Sequence, residues 1–431
     1  MTPSRIRVGL LGCGTVGGAT ARILAEHAPE ISRRTGAPVE LARVAVRDLS
    51  KARPVELAAD LWTSDASSIV DDPGIDVVVE TIGGIEPARQ LIMESFAAGK
   101  AVVTANKELL STHGQEVMDA ADEAGVDFLF EASVGGGIPI VRPLKESLAG
   151  DRVVRIMGIL NGTTNFILTR MSETGVEFAE ALAEAEALGY AELDPSADID
   201  GFDAAAKLAI LSSIAFNARV VATDVHREGI STVSARDIGA AHELGYEIKL
   251  LGVAETQDGA VTARVYPAMV PRTHPLAAVR DVFNAVFVQG EQAGELMFFG
   301  RGAGGGPTGS AVVGDLVEVA RNLVTGGRSV GCTCDGVAKL RPQEEIPVRY
   351  YIVLSVADRP GVLSEVAGIF ARHEISIASV RQEGSGDEAT LVAITHTASE
   401  GQHQQTFGEL SNLEAVKSVV STLRVEGTDE R

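Results

Sequence analysis

The stretch "RIRVGLLGCGTVGGATARILAEH", residues 5–27, constrains the fold more than any other part of the chain. It runs from a short apolar strand through a glycine turn into a helix, with Gly12-x-Gly14-x-x-Gly17 at the turn. Glycines at that spacing permit a tight turn and let the backbone approach a pyrophosphate seated on the helix N-terminus. The pieces "VELARVAVRD", "IDVVVETIGG", "EPARQLIMESFAAGK", "AVVTANK", "GQEVMDAADEAG" and "VDFLFEASVGG" then alternate strand-like and helix-like patterns. Apolar strands alternating with helices predict an α/β domain, a parallel sheet covered on both faces, over residues 1–140.

The end of the second strand bears on the coenzyme. An acidic residue there accepts bonds from an adenosine ribose, whereas arginine suits a 2′-phosphate. The strand ends Arg47-Asp48 and offers both, so NADP through Arg47 is favoured and NAD stays open. Lys107 of "TANKELL" follows a third apolar strand, at the sheet edge where such folds bind ligands. It reads as a cofactor or substrate contact, or as a solvated lysine.

The pattern changes at "GGGIPIVRP". Residues 141–330 carry strands such as "RVVRIMGIL", "VTARVYPAMV" and "AVFVQG", a polar turn capping a helix in "NGTTNFILTRM", and the amphipathic "EFAEALAEAEALG" stopped by Gly189. A glycine-rich loop and helix, with Pro307 in the first turn, close this α+β part. Residues 331–347 lack periodicity and read as a linker. Residues 348–425 run strand, helix, strand, strand, helix, strand, a ferredoxin-like unit.

Chemistry concentrates in "AELDPSADIDGFDAAAKLAILSSIAF", residues 191–216. Glu192, Asp194, Asp198, Asp200 and Asp203 precede Lys207, after which nine residues carry no charge. Burying charge is costly unless it is paired or used, so this is an ion network or a reaction centre. A calcium loop over 196–207 fails, because Ser196 holds its first place and the cation Lys207 its twelfth. Asp203 and Lys207 stand i, i+4 on one face of a helix that is otherwise apolar nearly all round. A buried lysine among carboxylates beside a dinucleotide domain is a candidate proton donor or acceptor.

Bulk properties exclude several classes. A net charge of −22 argues against nucleic-acid partners, which need basic patches. Cys13, Cys332 and Cys334 make neither a disulfide framework nor a zinc set. Residues 1–20 show no signal peptide and no run of about eighteen apolar residues occurs, so a cytoplasmic protein is expected.

The blocks "GLLGCGTVGG", "TANKELLS", "EASVGGGIPI", "LNGTTNFIL" and "GYAELDPSADIDGFDAAAKLAIL", in this order, resemble homoserine dehydrogenase over about residues 5–325. The 348–425 unit with "DRPGVL" is similar to an ACT regulatory domain. The resemblance implies a Rossmann-type NAD(P)-binding domain, a catalytic and dimerisation domain, and interconversion of L-homoserine and L-aspartate 4-semialdehyde in threonine, methionine and isoleucine biosynthesis. It also implies Lys207 as the general acid and base, with Asp203, Glu192, Lys107 and Thr164 around the substrate. Gly12, Gly14, Thr15, Val16, Gly17, Arg47, Thr81, Lys107, Gly189, Gly302 and Gly304 correspond to cofactor-binding positions. Glu131, Val134, Gly136 and Ile138 match a monovalent-cation site, such as one for sodium, formed largely by backbone carbonyls. By the same resemblance L-threonine is the expected effector, and the assembly is a homodimer or homotetramer.

Two rivals accompany this reading. Aspartate-semialdehyde dehydrogenase needs a nucleophilic cysteine in the substrate domain, and none lies between residues 14 and 331. An amino-acid-sensing regulatory protein on an inactive dehydrogenase fold is the other, against which Lys207, Asp203 and the glycine turn stand intact.

Overall fold

A computed structural model describes residues 4–334, 336–384 and 389–427. Its first sheet holds β1 (Ile6–Leu11), β2 (Val39–Ala45), β3 (Trp62–Thr63), β4 (Val77–Glu80), β5 (Ala101–Thr104) and β6 (Phe128–Leu129). They lie in the order β3-β2-β1-β4-β5-β6 and every neighbouring pair is parallel. This is the doubly wound Rossmann order, in which a ligand crevice opens at the carboxyl ends of β1 and β4. Alternation along a strand gives each face its own core: Val77 and Val79 enter one apolar cluster, Val78 the other.

The helix Thr15–Glu26, opened by the glycine turn, covers one face of this sheet. Beside it lies the helix Gly305–Thr325, whose Val312, Leu316 and Val319 enter the same cluster as Ile6, Val8 and Leu10. The chain order places this helix with the catalytic region, but in space it completes the nucleotide domain. Glycines explain the fit. A Cβ on Gly305 would fall 2.9 Å from the Thr15 carbonyl oxygen, and one on Gly309 3.0 Å from the Ala19 Cβ. Two helices can approach this closely only where side chains are missing.

The second sheet begins with β7 (Val153–Ile159), β8 (His226–Arg227), β9 (Tyr246–Gln257), β10 (Ala260–Pro271), β11 (Phe283–Gly290) and β12 (Gly294–Arg301). Against β7, β9 and β10 packs the helix Phe202–Phe216, which is mostly buried. The C-terminal unit adds β13 (Pro347–Val348), β14 (Tyr350–Val356), β15 (Ile377–Glu383), β16 (Thr390–Thr395), β17 (Ala398–Ser399) and β18 (Val416–Val425). Its sheet runs β18-β14-β16-β15, with the helices Val362–Arg372 and Glu400–Ser411 packing together, as a βαββαβ unit requires.

The join is tighter than a linker implies. β18 pairs with β10 through Ala268–Arg424 and Met269–Val425, which makes one continuous sheet of the catalytic and C-terminal parts. Residues 336–341 are also fixed, by parallel bridges Arg219–Val337 and Val261–Leu340. Ala338 enters the core and Arg341 donates to Gln257 at 2.7 Å, but these side chains follow no helix or strand period that a sequence could show. No helix of the described residues is long and apolar enough to cross a membrane.

Candidate active site

Lys207 lies one turn into the helix Phe202–Phe216, buried, with Asp203 on the same face. Gly201 precedes the helix with φ +82°, a left-handed conformation that only glycine adopts cheaply. The Lys207 ammonium donates to Asp203 Oδ2 at 2.7 Å and to the Leu160 carbonyl at 2.7 Å. Leu160 immediately follows β7, so strand and helix together hold the amine. Two of its three protons are thus engaged, leaving one for a ligand.

The other carboxylate oxygen of Asp203 accepts from Lys107. Lys107 begins the helix Lys107–Ala124 just past the carboxyl end of β5, capped by the Asn106 side chain. Its half-exposed ammonium therefore reaches from the nucleotide sheet to the catalytic helix. Thus one carboxylate connects the two domains at the edge where a coenzyme lies.

Burial works against ionisation of Asp203, but the two ammonium groups and their hydrogen bonds more than offset it and hold its carboxyl well below the usual range. For Lys207 burial is the largest influence and pulls its pKa below the ordinary lysine value, with Lys107 acting the same way. Asp203 and Asp198 oppose that fall. The sequence suggests that Asp203 simply keeps Lys207 charged; in the folded protein desolvation outweighs it, and the amine gives up its proton more readily than a free lysine.

Asn161 has no place in the sequence-based assignment, yet it organises this cluster. Its Nδ2 donates to Asp203 Oδ2 at 2.9 Å and to Asp198 Oδ1 at 2.7 Å, while its Oδ1 caps the helix Gly162–Thr174 through the Thr164 amide at 2.9 Å. The signal was an Asn before Gly-Thr-Thr, legible as a cap but silent about its amide nitrogen. Thr164 is buried, and its hydroxyl is engaged with Asn161 at 3.0 Å. Glu192 lies exposed in the loop after the helix Phe178–Ala187 and makes no hydrogen bond to this cluster. Gly189, in the same loop, takes φ +74° as the helix ends.

At the glycine turn Gly12 has φ +92°, and a Cβ on Gly17 would fall 2.3 Å from the Gly12 carbonyl oxygen. Thr81, following β4, donates to that same carbonyl at 3.0 Å. Thr15 and Val16 form the first turn of the helix. Gly302 and Gly304 form the loop before Gly305–Thr325, with Gly304 at φ +114°. Because Gly305 abuts Thr15, two helix N-termini lie side by side. Asp48 accepts from the Ser50 amide at 2.9 Å and hydroxyl at 2.6 Å, whereas Arg47 is exposed and makes no hydrogen bond within the described residues.

The glycine loop 135–137 touches the same region: a Cβ on Gly136 would lie 2.5 Å from the Gly302 carbonyl oxygen. Val134 and Ile138 are buried on either side. Both Glu131 carboxylate oxygens are taken by backbone amides, of Ile140 at 2.6 Å, Val141 at 2.8 Å and Arg142 at 2.8 Å. Most of the Glu131 acceptor capacity is thus spent inside the protein, so a cation here would rely chiefly on main-chain oxygens. Among the described residues no group of three or more His, Cys, Asp or Glu side chains is placed to hold a metal ion.

Comparisons with known proteins identify the family. Residues 12–131 match the family model "Homoserine dehydrogenase, NAD binding domain", residues 139–317 "Homoserine dehydrogenase", and residues 350–415 "ACT domain". The homoserine dehydrogenase of Mycobacterium tuberculosis is 50% identical over 434 residues, covering 98% of each chain. That of Corynebacterium glutamicum is 48% identical over 428 residues, covering 98% of this chain and 96% of the relative. Among solved structures, a homoserine dehydrogenase from Thiobacillus denitrificans superposes with TM-score 0.93 at 43% identity over 98% of both chains. A hyperthermophilic archaeal homoserine dehydrogenase in complex with NADPH gives TM-score 0.62 at 28% identity, covering 73% of this chain and 97% of its own.

Proposed function

The chain belongs to the homoserine dehydrogenase family, NAD(P)-dependent oxidoreductases, and on that premise we propose that it interconverts L-homoserine and L-aspartate 4-semialdehyde with Lys207 as acid and base. The observation that carries this is the Lys107–Asp203–Lys207 bridge between the coenzyme-binding sheet and the catalytic helix.

A bound nicotinamide coenzyme supplies the hydride in one direction and takes it in the other. The residues that fit it are Gly12, Gly14 and Gly17 with the paired helix ends, which suit a pyrophosphate, and Arg47, which suits a 2′-phosphate and favours NADP. Lys207 directs its remaining proton to the substrate oxygen and protonates it as negative charge develops; in reverse it accepts the hydroxyl proton. Asp203 is already bonded to Lys107, Lys207 and Asn161, so it orients rather than accepts the proton. The half-exposed Lys107 and the Glu192 loop bind the polar end of the substrate. Thr164 acts through Asn161, and Gly189 lets its loop approach the coenzyme.

A monovalent cation such as sodium fits main-chain oxygens of Glu131, Val134, Gly136 and Ile138, where it would brace the turn against Gly302. The C-terminal unit is read as a sensor for L-threonine, with the Gly361 turn before the helix Val362–Arg372 as its carboxylate-binding end. In this structure Arg359 and Glu365 pair across that turn at 2.8 Å, so an effector has to open the pair. A cytoplasmic homodimer or homotetramer, divided along the chain at residues 1–140, 141–330 and 348–425 but with the helix Gly305–Thr325 returned to the nucleotide domain, completes the reading.

Oxidation of NADPH by the purified chain with aspartate semialdehyde tests the activity. Coenzyme binding without turnover would favour the rival, a regulatory protein on an inactive fold. A thermal-shift titration with L-threonine, glycine and L-methionine tests the sensor: a rise with threonine alone supports it, and no response removes it.

A further inference from the structure

The segment packed against the loop that precedes Asp203 is tied to the C-terminal unit by a side chain, that of Glu228. Glu228 follows β8, and its amide donates to the Val265 carbonyl of β10 at 2.7 Å. Its carboxylate is held by both oxygens, each 2.8 Å from Nη1 of Arg424 on β18. Arg424 is only 4% exposed and also bonds Glu400, at 3.1 and 3.2 Å, so its guanidinium has one available position. The Nε and Nη2 fork on Glu400 fixes the plane of the guanidinium, and its Nη1, shared by both Glu228 oxygens, then holds that carboxylate in place.

Downstream of Glu228 the backbone is laid against the catalytic loop. Ile230 donates to the Ile199 carbonyl at 2.9 Å, and a Cβ on Gly229 would sit 2.4 Å from that oxygen. The Glu228 carbonyl itself lies 3.6 Å from where a Cβ on Gly201 would be. Gly201 caps the helix bearing Asp203 and Lys207, and Asp198, just before it, is bonded to Asn161.

We infer that Glu228, gripped by Arg424, is a positioning residue for the Asp203–Lys207 helix, which makes the C-terminal unit part of the active site's support. The inference rests on the functional reading above for its kinetic consequence, but not for its structural one. Misplacement of a reacting group by an ångström is enough to slow turnover markedly. Glu228 is 41% exposed, so replacing it spares the core and leaves Arg424 its bonds to Glu400.

The test uses the full chain with Glu228→Ala, Glu228→Gln and Arg424→Lys. Two readouts are taken: kcat and KM in homoserine oxidation, and amide hydrogen exchange in peptides spanning residues 193–205. Glu228→Ala is expected to lower kcat roughly tenfold with the coenzyme KM unchanged, and to speed exchange in 193–205. Glu228→Gln, which keeps acceptor oxygen, recovers part of both. Combining Glu228→Ala with Arg424→Lys should add little to the first change, because the residues act as a unit. Unchanged exchange in 193–205 in a folded Glu228→Ala protein overturns the inference, even if the wild-type chain proves inactive on homoserine. Unchanged kcat with faster exchange overturns its kinetic half.

Discussion

Lys107 and Lys207 hold opposite oxygens of a single carboxylate, that of Asp203, although one lysine follows a strand of the nucleotide sheet and the other sits in the catalytic helix. Lys207 thereby keeps its ammonium directed at the site, suited to an oxygen that gains negative charge during reduction. The arrangement also couples the two domains, since Lys107 lowers the affinity of Lys207 for a proton.

That dependence sets the pH profile. Reduction needs Lys207 protonated, and burial has lowered its pKa from the ordinary lysine value. The kcat for aldehyde reduction should therefore hold at neutral pH and decline as pH rises through that lowered pKa, while homoserine oxidation gains over the same interval. Stopped-time assays in both directions across the alkaline range check this. A reduction rate that stays level up to the pKa of free lysine would remove the proposed proton donor.

Asp203→Asn keeps the shape but removes the charge that opposes deprotonation of Lys207. The Lys207 pKa should then fall further, moving both limbs to lower pH, and kcat should drop by about a hundredfold as the ammonium loses its guide. The paired pH profiles read both effects. A drop in kcat with no displacement of either limb would leave Asp203 a purely structural role.

Asn161→Ala removes the amide that ties Asp203 to Asp198. Turnover should fall by roughly tenfold with coenzyme affinity intact, and the loss of a helix cap should cost about 1 kcal/mol of stability. Urea unfolding and nucleotide fluorescence titration measure the two separately.

How much of this was legible in the chain depends on distance along it. Val77–Glu80 and Ala101–Thr104 were readable because apolar runs between helices imply a buried parallel sheet. The same holds for the order of the C-terminal unit, whose elements are local. The place of Gly305–Thr325 was not, since its partner Thr15–Glu26 lies near the other end of the sequence and only small-residue spacing hints at contact. Asp203 and Lys207 were visible through the i, i+4 rule, and Lys107 as a strand-end lysine, but nothing in one dimension says they share a carboxylate. The lowering of the Lys207 pKa by burial is not legible in the chain, because a sequence names neighbours and hides depth.

Coenzyme choice has its own test. Arg47→Ala should raise the KM for NADPH about tenfold and leave that for NADH nearly unchanged, because only the former carries a 2′-phosphate. Equal effects on both coenzymes would place Arg47 outside the phosphate site.

At the turn itself, Gly17→Ala puts a Cβ 2.3 Å from the Gly12 carbonyl oxygen and against the Thr81 hydroxyl. The helix has to move back, so coenzyme Kd should rise more than tenfold and stability fall by about 1–3 kcal/mol. Calorimetric titration with NADPH and thermal melting report each.

The most direct measurement is the turnover of Lys207→Ala beside that of Lys107→Ala, with NADPH and aspartate semialdehyde at neutral pH. If Lys207 delivers the proton, its loss should cut kcat by about a thousandfold while NADPH binds as before, and Lys107→Ala should mainly raise the substrate KM. Turnover retained in Lys207→Ala but abolished in Lys107→Ala would assign the proton to the other lysine and contradict the mechanism.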